Sequence, residues 1–285
     1  MTQSAPTTRM PSASEQPASS HPPVVLERDG AVAHVVLASA ETGNAFNLGF
    51  VTTLRRVVEQ VVAWTAEPDR NGVGAVLVRA EGRNFSVGGD LKAFVAQGDD
   101  VGAYVMSVAS AAHAAVLGLA GLSVPVIAQV SGAVAGGGVG LALSADLVVA
   151  ARSAKLRLAY TALGLTPDCG ASWFLPRLVG ERRALDLVFT NRVLRSTEAE
   201  RWGLFSRVVD DEDLPSVSEE LARSLATGQV AALSRAKLLM RAGHLDGLRD
   251  HLECEAGFIA DAAARPEVRA AMSRFLAGGG RSGRT

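Results

Sequence analysis

The stretch SGAVAGGGVGLALSAD, from Ser131 to Asp146, indicates the fold because it joins two apolar strands through a glycine run and a helix. The strands are predicted on either side of it, at 126–130 and 146–150. The glycines Gly136 to Gly138 allow tight backbone conformations and let a ligand approach main-chain N–H groups. The run also opens a helix predicted near 137–144, so its first N–H groups and the positive end of its dipole point outward.

The same alternation of strands and helices extends towards the N-terminus. An Asp29-Gly30 dipeptide, common in hairpins, divides the first apolar segment into two short strands. The predicted elements are this hairpin at 24–38, a helix at 48–65, a strand covered on both faces at 74–79 and, after a glycine-rich loop at 81–92, a long helix to about residue 119. Alternation of this kind makes an α/β fold.

The strand pattern fades from Glu181 onward, and the C-terminal part is predicted to be a layer of helices. Several of these helices have Ser, Thr, Asp or Pro near their starts, as helix N-termini commonly do. They are predicted at 182–189, 196–202, 214–225, 231–240, 246–264 and 266–276. We expect this layer to serve as an interface module.

The composition argues against several classes of function. The 285 residues are 48% hydrophobic and 20% charged, as in a soluble globular protein, and carry a formal net charge of −1. This charge favours neither a nucleic-acid platform nor a polybasic membrane surface, so no nucleic acid and no membrane is expected as a partner. The two cysteines, Cys169 and Cys254, lack metal-ligand spacing, so no metal site or disulfide framework is expected. P-loop, HExxH and GxSxG motifs are also absent from the sequence, and the glycine run from Gly136 to Gly140 does not complete GxGxxG.

Both ends of the sequence are predicted to be flexible. Residues 1–23 are rich in Ser, Thr, Pro and Ala and lack the hydrophobic stretch of a signal peptide, which favours a disordered tail. The glycine-rich segment 278–285 is expected to behave similarly. No run of about 18 uninterrupted apolar residues occurs, so no transmembrane helix is expected. With the low cysteine content, these features predict a cytoplasmic location.

A second glycine loop, NFSVGGDLKAF from Asn84 to Phe94, follows the strand predicted at 74–79. Two convergent main-chain donors, one from each loop, are what an acyl-transfer or enolate-forming enzyme needs to hold a developing oxyanion. Taken singly, each loop is more typical of close helix–strand packing, where glycine only provides space. The occurrence of two such loops in one chain is what an oxyanion-binding site would require.

The segment LGLTPDCGASWFLPRLVG, residues 163–180, places Asp168 at a turn between a proline and a glycine. Its local sequence favours a helix N-cap, a role that Asp often fills, for a helix that begins near Gly170. The alternative is that Asp168 takes part in chemistry, and the two roles are compatible. Four apolar neighbours are expected to bury it, namely Leu163, Leu165, Trp173 and Phe174.

Together, the two glycine loops, the Asn44-Ala45 dipeptide and the LGLTPDCG segment resemble the enoyl-CoA hydratase/isomerase (crotonase) family over about residues 25–209. The resemblance implies an α/β fold, a crotonase-type spiral of ββα units at 24–210. It also implies a C-terminal helical oligomerisation region at 211–277, which packs into a homotrimer or a dimer of trimers. An acyl-CoA thioester is the implied substrate, which carries its own coenzyme A, and no permanently bound cofactor is expected.

The resemblance further implies which residues bind this substrate. The N–H groups of Gly89 and Gly137 hold the thioester oxygen and count as catalytic. Gly89, Asp90, Leu91 and Lys92, together with Gly137, lie along the bound coenzyme A. Lys92 is a candidate for binding its phosphates, with a solvated surface charge as the alternative.

Departures from the family pattern favour one type of chemistry. Where a hydratase of the family carries two glutamates that activate water, this sequence has Gly140 and Tyr160. Glycine has no side chain, and a phenol with a pKa of about 10 is a poor base at neutral pH, so hydration by that route is not expected. Asp168 stands where isomerases of the family carry the carboxylate that moves a proton from C2 to C4. The resemblance therefore implies an enoyl-CoA isomerase with Asp168 as the acid/base.

Other functions stay open at the level of sequence. Aryl-CoA dehalogenases of the family have a nucleophilic aspartate in this loop and a glycine at the position of Gly140. A thioester hydrolase that uses Asp168, a hydratase that uses another route and a non-catalytic acyl-CoA-binding subunit are further alternatives. Four further residues are interpreted as non-catalytic. They are His113 as a packing or surface residue, Asp146 as a structural residue at the start of a strand, Cys169 as a small buried residue and Asp90 as a residue that orders its loop.

Overall fold

The computed structural model describes residues 21–66, 72–241 and 243–278. Strands and helices alternate through most of the chain, and helices alone follow the last strand. The strands are β1 (Val24–Asp29), β2 (Val32–Leu37), β3 (Ala75–Ala80), β4 (Val126–Val130), β5 (Ala133–Ala135), β6 (Leu147–Ala151), β7 (Lys155–Arg157), β8 (Leu194–Arg195) and β9 (Arg207–Val209). The helices are α1 (Leu48–Ala66), α2 (Leu91–Val95), α3 (Val101–Gly121), α4 (Gly137–Leu143), α5 (Ala171–Val179), α6 (Glu181–Thr190), α7 (Ser196–Arg201), α8 (Leu214–Thr227), α9 (Val230–Arg241), α10 (Leu248–Ala264) and α11 (Pro266–Ala277).

Two sheets organise the described residues. The larger sheet has the strand order β1-β2-β3-β4-β6-β9. Its β1 and β2 form the predicted antiparallel hairpin, and its remaining neighbours are parallel. The smaller sheet has the order β5-β7-β8. Helical crossovers between parallel strands give the predicted α/β architecture.

Both faces of the larger sheet are covered, which explains why its strands are apolar without alternation. All six residues of β2 are buried. On one face, Val35 and Val76 belong to the main core, which α1 and α3 also line. On the other face, Leu77 and Ile127 pack in a second cluster with apolar residues of α8. Burial on both faces is characteristic of parallel sheets.

Helix α3 lies at the centre of the molecule, where it packs against both α1 and α10. Its alanines and valines allow close approach to these neighbours, and eleven of its residues are buried. By length and composition alone, the segment Gly98–Gly121 is the one helix among the described residues that is apolar enough to cross a membrane. More than half of its most apolar window is buried inside the protein, as in a core helix.

The prediction that strands fade from Glu181 onward is wrong for two short strands. β8 contains two residues and pairs antiparallel with β7. β9 contains three residues and pairs parallel with β6, so it forms the edge of the larger sheet. Segments this short show no readable periodicity, and their pairing depends on a sheet edge that the rest of the chain provides. β5 and β7 are equally short and were not predicted either.

Other boundaries differ from the prediction in small ways. The long helix expected after the glycine loop is divided into α2 and α3. The predicted division of the chain after residue 210 stays a prediction, and α8, which follows it, packs on the large sheet. Of the predicted tails, only residues 21–23 and residue 278 lie within the described part of the chain.

Candidate active site

A cavity of about 360 Å³ lies where the two glycine loops, α3 and the Asp168 turn meet. Ile259 of α10 and Phe275 of α11 also line it, so the C-terminal helices contribute to the site. Its walls are mainly apolar, and Asp168 is the one carboxylate among the described residues that line it. Arg157 and Tyr160 also line it, and mainly apolar walls with a few polar groups are typical of a cavity that binds a small organic group.

Gly89 and Gly137, from separate loops, both line this cavity. Gly88 and Gly136, which precede them, turn the chain sharply with φ angles of 86° and 49°. Gly137 is the first residue of α4, so its N–H has no acceptor within the helix. Among the described residues, no protein group accepts a hydrogen bond from the N–H of Gly89 or Gly137. Two unused backbone donors therefore face one apolar cavity.

Neither glycine has room for a side chain. A Cβ atom at Gly89 would lie 2.9 Å from the ring of Phe94, and one at Gly137 would lie 2.9 Å from the Cys169 sulfur. A further contact holds the first loop in place, because the N–H of Phe46 donates to the carbonyl of Gly88 over 2.7 Å. The packing interpretation and the functional interpretation of these glycines are thus compatible.

The other residues expected along coenzyme A lie around the first loop. Leu91 lines the cavity. Asp90 caps α2, since its side chain accepts hydrogen bonds from the N–H groups of Lys92 and Ala93, each over 3.1 Å. This is the loop-ordering role predicted for Asp90. Lys92 is exposed and does not line the cavity, so its two interpretations stay open.

Asp168 is buried, with 9% of its surface exposed, and its carboxylate is bound to a phenol. The Tyr160 hydroxyl donates to Oδ1 of Asp168 over 2.6 Å. Burial and the adjacent Asp168 carboxylate raise the pKa of Tyr160 well above its usual value, so the phenol stays protonated. Tyr160 stands where hydratases of the resembled family carry a glutamate. In this chain, that position therefore donates a hydrogen bond to Asp168.

The prediction that Asp168 caps the following helix is wrong. The N-cap of α5 is Gly170, and no side chain of the capping residue bonds the helix. The carboxylate that binds there is Glu255, from α10. Its Oε2 accepts from the N–H of Gly170 over 2.8 Å, and its Oε1 accepts from both the N–H and the hydroxyl of Ser172. An anion is stabilised at this end of a helix by free N–H groups and by the helix dipole.

Sequence reasoning did not identify Glu255, although α10 contains a signal for it. Leu252, Glu255, Ala256 and Ile259 recur at the spacing of one buried helix face. A carboxylate in that series has to be paired or hydrogen-bonded, because burial of an isolated charge is costly. The partner could not be named, since it lies 85 residues away along the chain.

His113 is buried in α3 beside the same turn, and its role is to bond the backbone. Its Nε2 accepts from the N–H of Cys169 over 3.0 Å and lies 3.9 Å from Oε2 of Glu255. Burial lowers the pKa of His113, although the nearby Asp168 carboxylate opposes the shift. A neutral imidazole at neutral pH agrees with its role as an acceptor. The prediction of a packing residue was incomplete, because it missed this hydrogen bond.

Lack of space explains why the chain has a glycine and not a glutamate at position 140. A Cβ atom there would lie 2.0 Å from the carbonyl oxygen of Cys169, closer than any real contact. The turn that carries Asp168 thus occupies the space that a side chain at this position needs. Cys169 itself is buried, as predicted, and burial together with Asp168 raises the pKa of its thiol well above the usual range.

Comparisons with known proteins show which family the chain belongs to. The sequence model of the family described as Enoyl-CoA hydratase/isomerase matches residues 27–279. The chain is 36% identical over 247 residues to a 1,2-epoxyphenylacetyl-CoA isomerase from Escherichia coli, which covers 85% of this chain and 91% of that protein. It is 31% identical over 206 residues to 4-chlorobenzoyl coenzyme A dehalogenase-1 from Arthrobacter, over 72% of this chain and 75% of that protein.

The fold is likewise shared with solved structures. An enoyl-CoA hydratase from Mycobacterium avium subsp. paratuberculosis superposes with a TM-score of 0.78 and 25% identity, over 90% of this chain and 100% of that one. The relatives thus include a named isomerase, a dehalogenase and a hydratase. The match to the family over most of its length shows that the chain belongs to the enoyl-CoA hydratase/isomerase family of crotonase-fold acyl-CoA enzymes.

Proposed function

We propose that this chain is an acyl-CoA isomerase in which Asp168 moves a proton along the acyl chain. The observation that carries the proposal is that Asp168 is the single carboxylate among the described residues that line the cavity, and that two backbone N–H groups without a protein acceptor belong to the same lining. Proton removal and return at different carbons need one group that acts first as base and then as acid. Activation of water in the manner of a hydratase needs the side chain for which Gly140 has no room.

The thioester oxygen binds between the N–H groups of Gly89 and Gly137 in this proposal. Proton loss from C2 converts the thioester into an enolate, and its negative oxygen is stabilised by these two donors. One such donor contributes on the order of 3 kcal/mol to transition-state stabilisation. The donors lie on rigid loops packed against Phe94 and Cys169, so little reorganisation is needed when the charge develops.

Asp168 takes the C2 proton and returns it at C4. Tyr160 donates a hydrogen bond to Oδ1 and orients the carboxylate. The apolar walls exclude water, so that the enolate is reprotonated by Asp168 rather than by solvent. No further cofactor is needed for this step, and coenzyme A is part of the substrate, along the loop from Gly89 to Lys92.

A second candidate is a hydrolytic reaction in which Asp168 attacks an aryl-CoA as a nucleophile. It is favoured by the position of His113, whose ring nitrogen lies within 4.8 Å of the Asp168 and Cys169 ligand atoms, and by the similarity to the dehalogenase. Hydrolysis of the covalent intermediate requires a base beside a water molecule. Nε2 of His113 already accepts from Cys169, and His113 does not line the cavity, so isomerisation ranks first.

A panel of thioesters distinguishes these candidates from one another and from a non-catalytic acyl-CoA-binding subunit. The panel contains a 3-enoyl-CoA, a 2-enoyl-CoA, 1,2-epoxyphenylacetyl-CoA and 4-chlorobenzoyl-CoA. The proposal predicts a shift of the double bond in the 3-enoyl-CoA without addition of water. Release of chloride supports the second candidate, and tight binding without conversion of any thioester indicates a binding subunit.

A further inference from the structure

We infer that Glu255 is a positioning residue, whose ionised carboxylate holds the turn from Asp168 to Ser172 in the shape that presents Asp168 to the substrate. Glu255 itself does not line the cavity. The kinetic part of this inference rests on the proposed function, whereas its structural part does not.

The Asp168 turn has a backbone that needs to be held. Cys169 has a φ of 54° and Gly170 a φ of 78°, so two successive residues lie in the left-handed region. This region is unfavourable for a residue with a Cβ atom such as cysteine. A turn can direct successive N–H groups towards one point, where they form a concave anion site. The turn therefore combines an unfavourable backbone conformation with N–H groups that need a hydrogen-bond acceptor.

Glu255 accepts hydrogen bonds from this turn with both of its carboxylate oxygens. Oε2 bonds Gly170, and Oε1 bonds both the N–H and the hydroxyl of Ser172. A glutamine of the same shape has one acceptor oxygen and an NH₂ group that cannot accept, so it leaves at least one N–H without a partner. Since Asp168 lies two residues before Gly170 in the same turn, a change in these contacts moves the Asp168 carboxylate. A shift of about 1 Å at a reacting group can cost about a hundredfold in rate.

The surroundings of Glu255 make its charge sensitive to pH near neutrality. His113 faces it from α3, His251 from its own helix over 3.4 Å, and Asp168, Cys169 and Tyr160 from the turn and the loop before it. Among the described residues, no lysine or arginine forms an ion pair with it. Burial raises the pKa of Glu255 to about 7, although its hydrogen bonds from Ser172 and Gly170 oppose the shift. Below this pH, the protonated carboxyl loses acceptor strength at the turn.

The test compares Glu255→Gln with Glu253→Gln, the same substitution at an exposed glutamate of the same helix. Two quantities are measured from about pH 6 to about pH 8, namely hydrogen exchange of the Gly170 and Ser172 amides and kcat with a 3-enoyl-CoA. In Glu255→Gln at about pH 8, we expect exchange of these amides to be at least about tenfold faster and kcat about tenfold to a hundredfold lower, with KM within about twofold.

The pH dependence separates positioning from a general loss of stability. The ratio of wild-type to Glu255→Gln kcat is expected to rise with pH through about 7, because only the wild type gains a charge there. The wild type alone gives a second readout, in which protection of the Gly170 and Ser172 amides against local opening increases over the same range. This protection is corrected for intrinsic exchange and is taken relative to core amides that exchange only by global unfolding. This readout applies even if the variant fails to fold.

Two results would overturn the inference. One is exchange of these amides that is the same in folded Glu255→Gln as in Glu253→Gln at every pH, or protection in the wild type that does not change with pH. The other is a kcat ratio that is independent of pH. If the wild type turns over no thioester, the proposed function is wrong, and the exchange measurements alone decide the positioning role.

Discussion

At the scale of single residues, the carbonyl of Cys169 excludes a side chain at Gly140. We expect Gly140→Glu to abolish isomerisation without any gain of hydration, because the new side chain displaces the Asp168 turn. The assay is product analysis with 3-enoyl-CoA and 2-enoyl-CoA. Hydratase activity in this variant would show that the site tolerates the second chemistry and that the steric argument is wrong.

A smaller change at Gly140 isolates the steric effect. Gly140→Ala is expected to lower the free energy of unfolding by about 1–3 kcal/mol, as overpacked cores do. Gly257 is the matched control, since it lies in α10 and a methyl group added there would have no neighbouring atom within 4 Å. Gly257→Ala is expected to raise the free energy of unfolding by about 0.5–1 kcal/mol through helix propensity. Chemical denaturation of both variants measures the contrast, and equal effects would refute it.

The hydrogen bond from Tyr160 to Asp168 gives a second prediction at this scale. A hydrogen bond to a charged group contributes about 1.5–3 kcal/mol, so Tyr160→Phe is expected to lower kcat about tenfold to a hundredfold. Tyr104, the other tyrosine of the chain, does not line the cavity and serves as the control. Tyr104→Phe is expected to leave kcat within about twofold. Steady-state kinetics measure both values of kcat. A Tyr160→Phe variant with the kcat of the wild type would show that Tyr160 does not orient Asp168 for catalysis.

At the scale of elements, α9 is attached to the core by a nearly buried ion cluster. Asp146 lies 2.7 Å from Nζ of Lys237 and 2.8 Å from a guanidinium nitrogen of Arg241. Burial lowers the pKa of Lys237, and Asp146 opposes the shift. Asp146→Ala leaves these cations unpaired, so we expect a loss of about 3–5 kcal/mol in the free energy of unfolding.

The exposed pair Arg152–Asp210 provides the control for this measurement. Asp210→Ala is expected to cost less than about 1 kcal/mol, because exposed ion pairs contribute little. Urea denaturation of both variants gives the comparison. Equal losses would mean that burial of the cluster at Asp146 has no energetic consequence.

The contact between α10 and α5 links stability to pH. The pKa of Glu255 rises from 4.5 to about 7 on folding, so the folded state binds a proton more tightly than the unfolded state. Stability contributed by this proton is fully present below about pH 4.5 and is lost as pH rises to about 7, by about 3 kcal/mol. Denaturation at a series of pH values should show this loss in the wild type and not in Glu255→Gln. Parallel curves for the two proteins would contradict it.

The sequence predicted those parts of the structure that are encoded locally. The long helices, the β1–β2 hairpin and the central strands have clear periodicity and punctuation, and they lie where predicted. Gly89, Gly137 and Asp168 lie in separate motifs, and the fold brings them to one cavity. Glu255 and the capping of α5 could not be predicted, because they depend on a contact between distant helices. β8 and β9 were missed because their pairing depends on sheet edges formed by other segments.

At the scale of the whole molecule, the surface of α9 predicts self-association. Three consecutive apolar residues, Leu238, Leu239 and Met240, are 72–80% exposed. Large exposed apolar side chains in succession indicate an interaction surface. We propose that the chain forms a trimer or a dimer of trimers, so sedimentation should give three or six times 29.5 kDa. A monomer at all concentrations would contradict this, and a double substitution of Leu239 and Met240 by aspartate tests whether α9 is the interface.

The central claim is that Asp168 is the acid/base of an isomerase, and the most direct test is kcat of Asp168→Asn with a 3-enoyl-CoA. Asparagine keeps the size and the contact with Tyr160 but cannot take a proton at neutral pH. The account predicts a loss of about a hundredfold to ten-thousandfold in kcat, with thioester binding retained. A variant that keeps the kcat of the wild type would show that Asp168 is not the base.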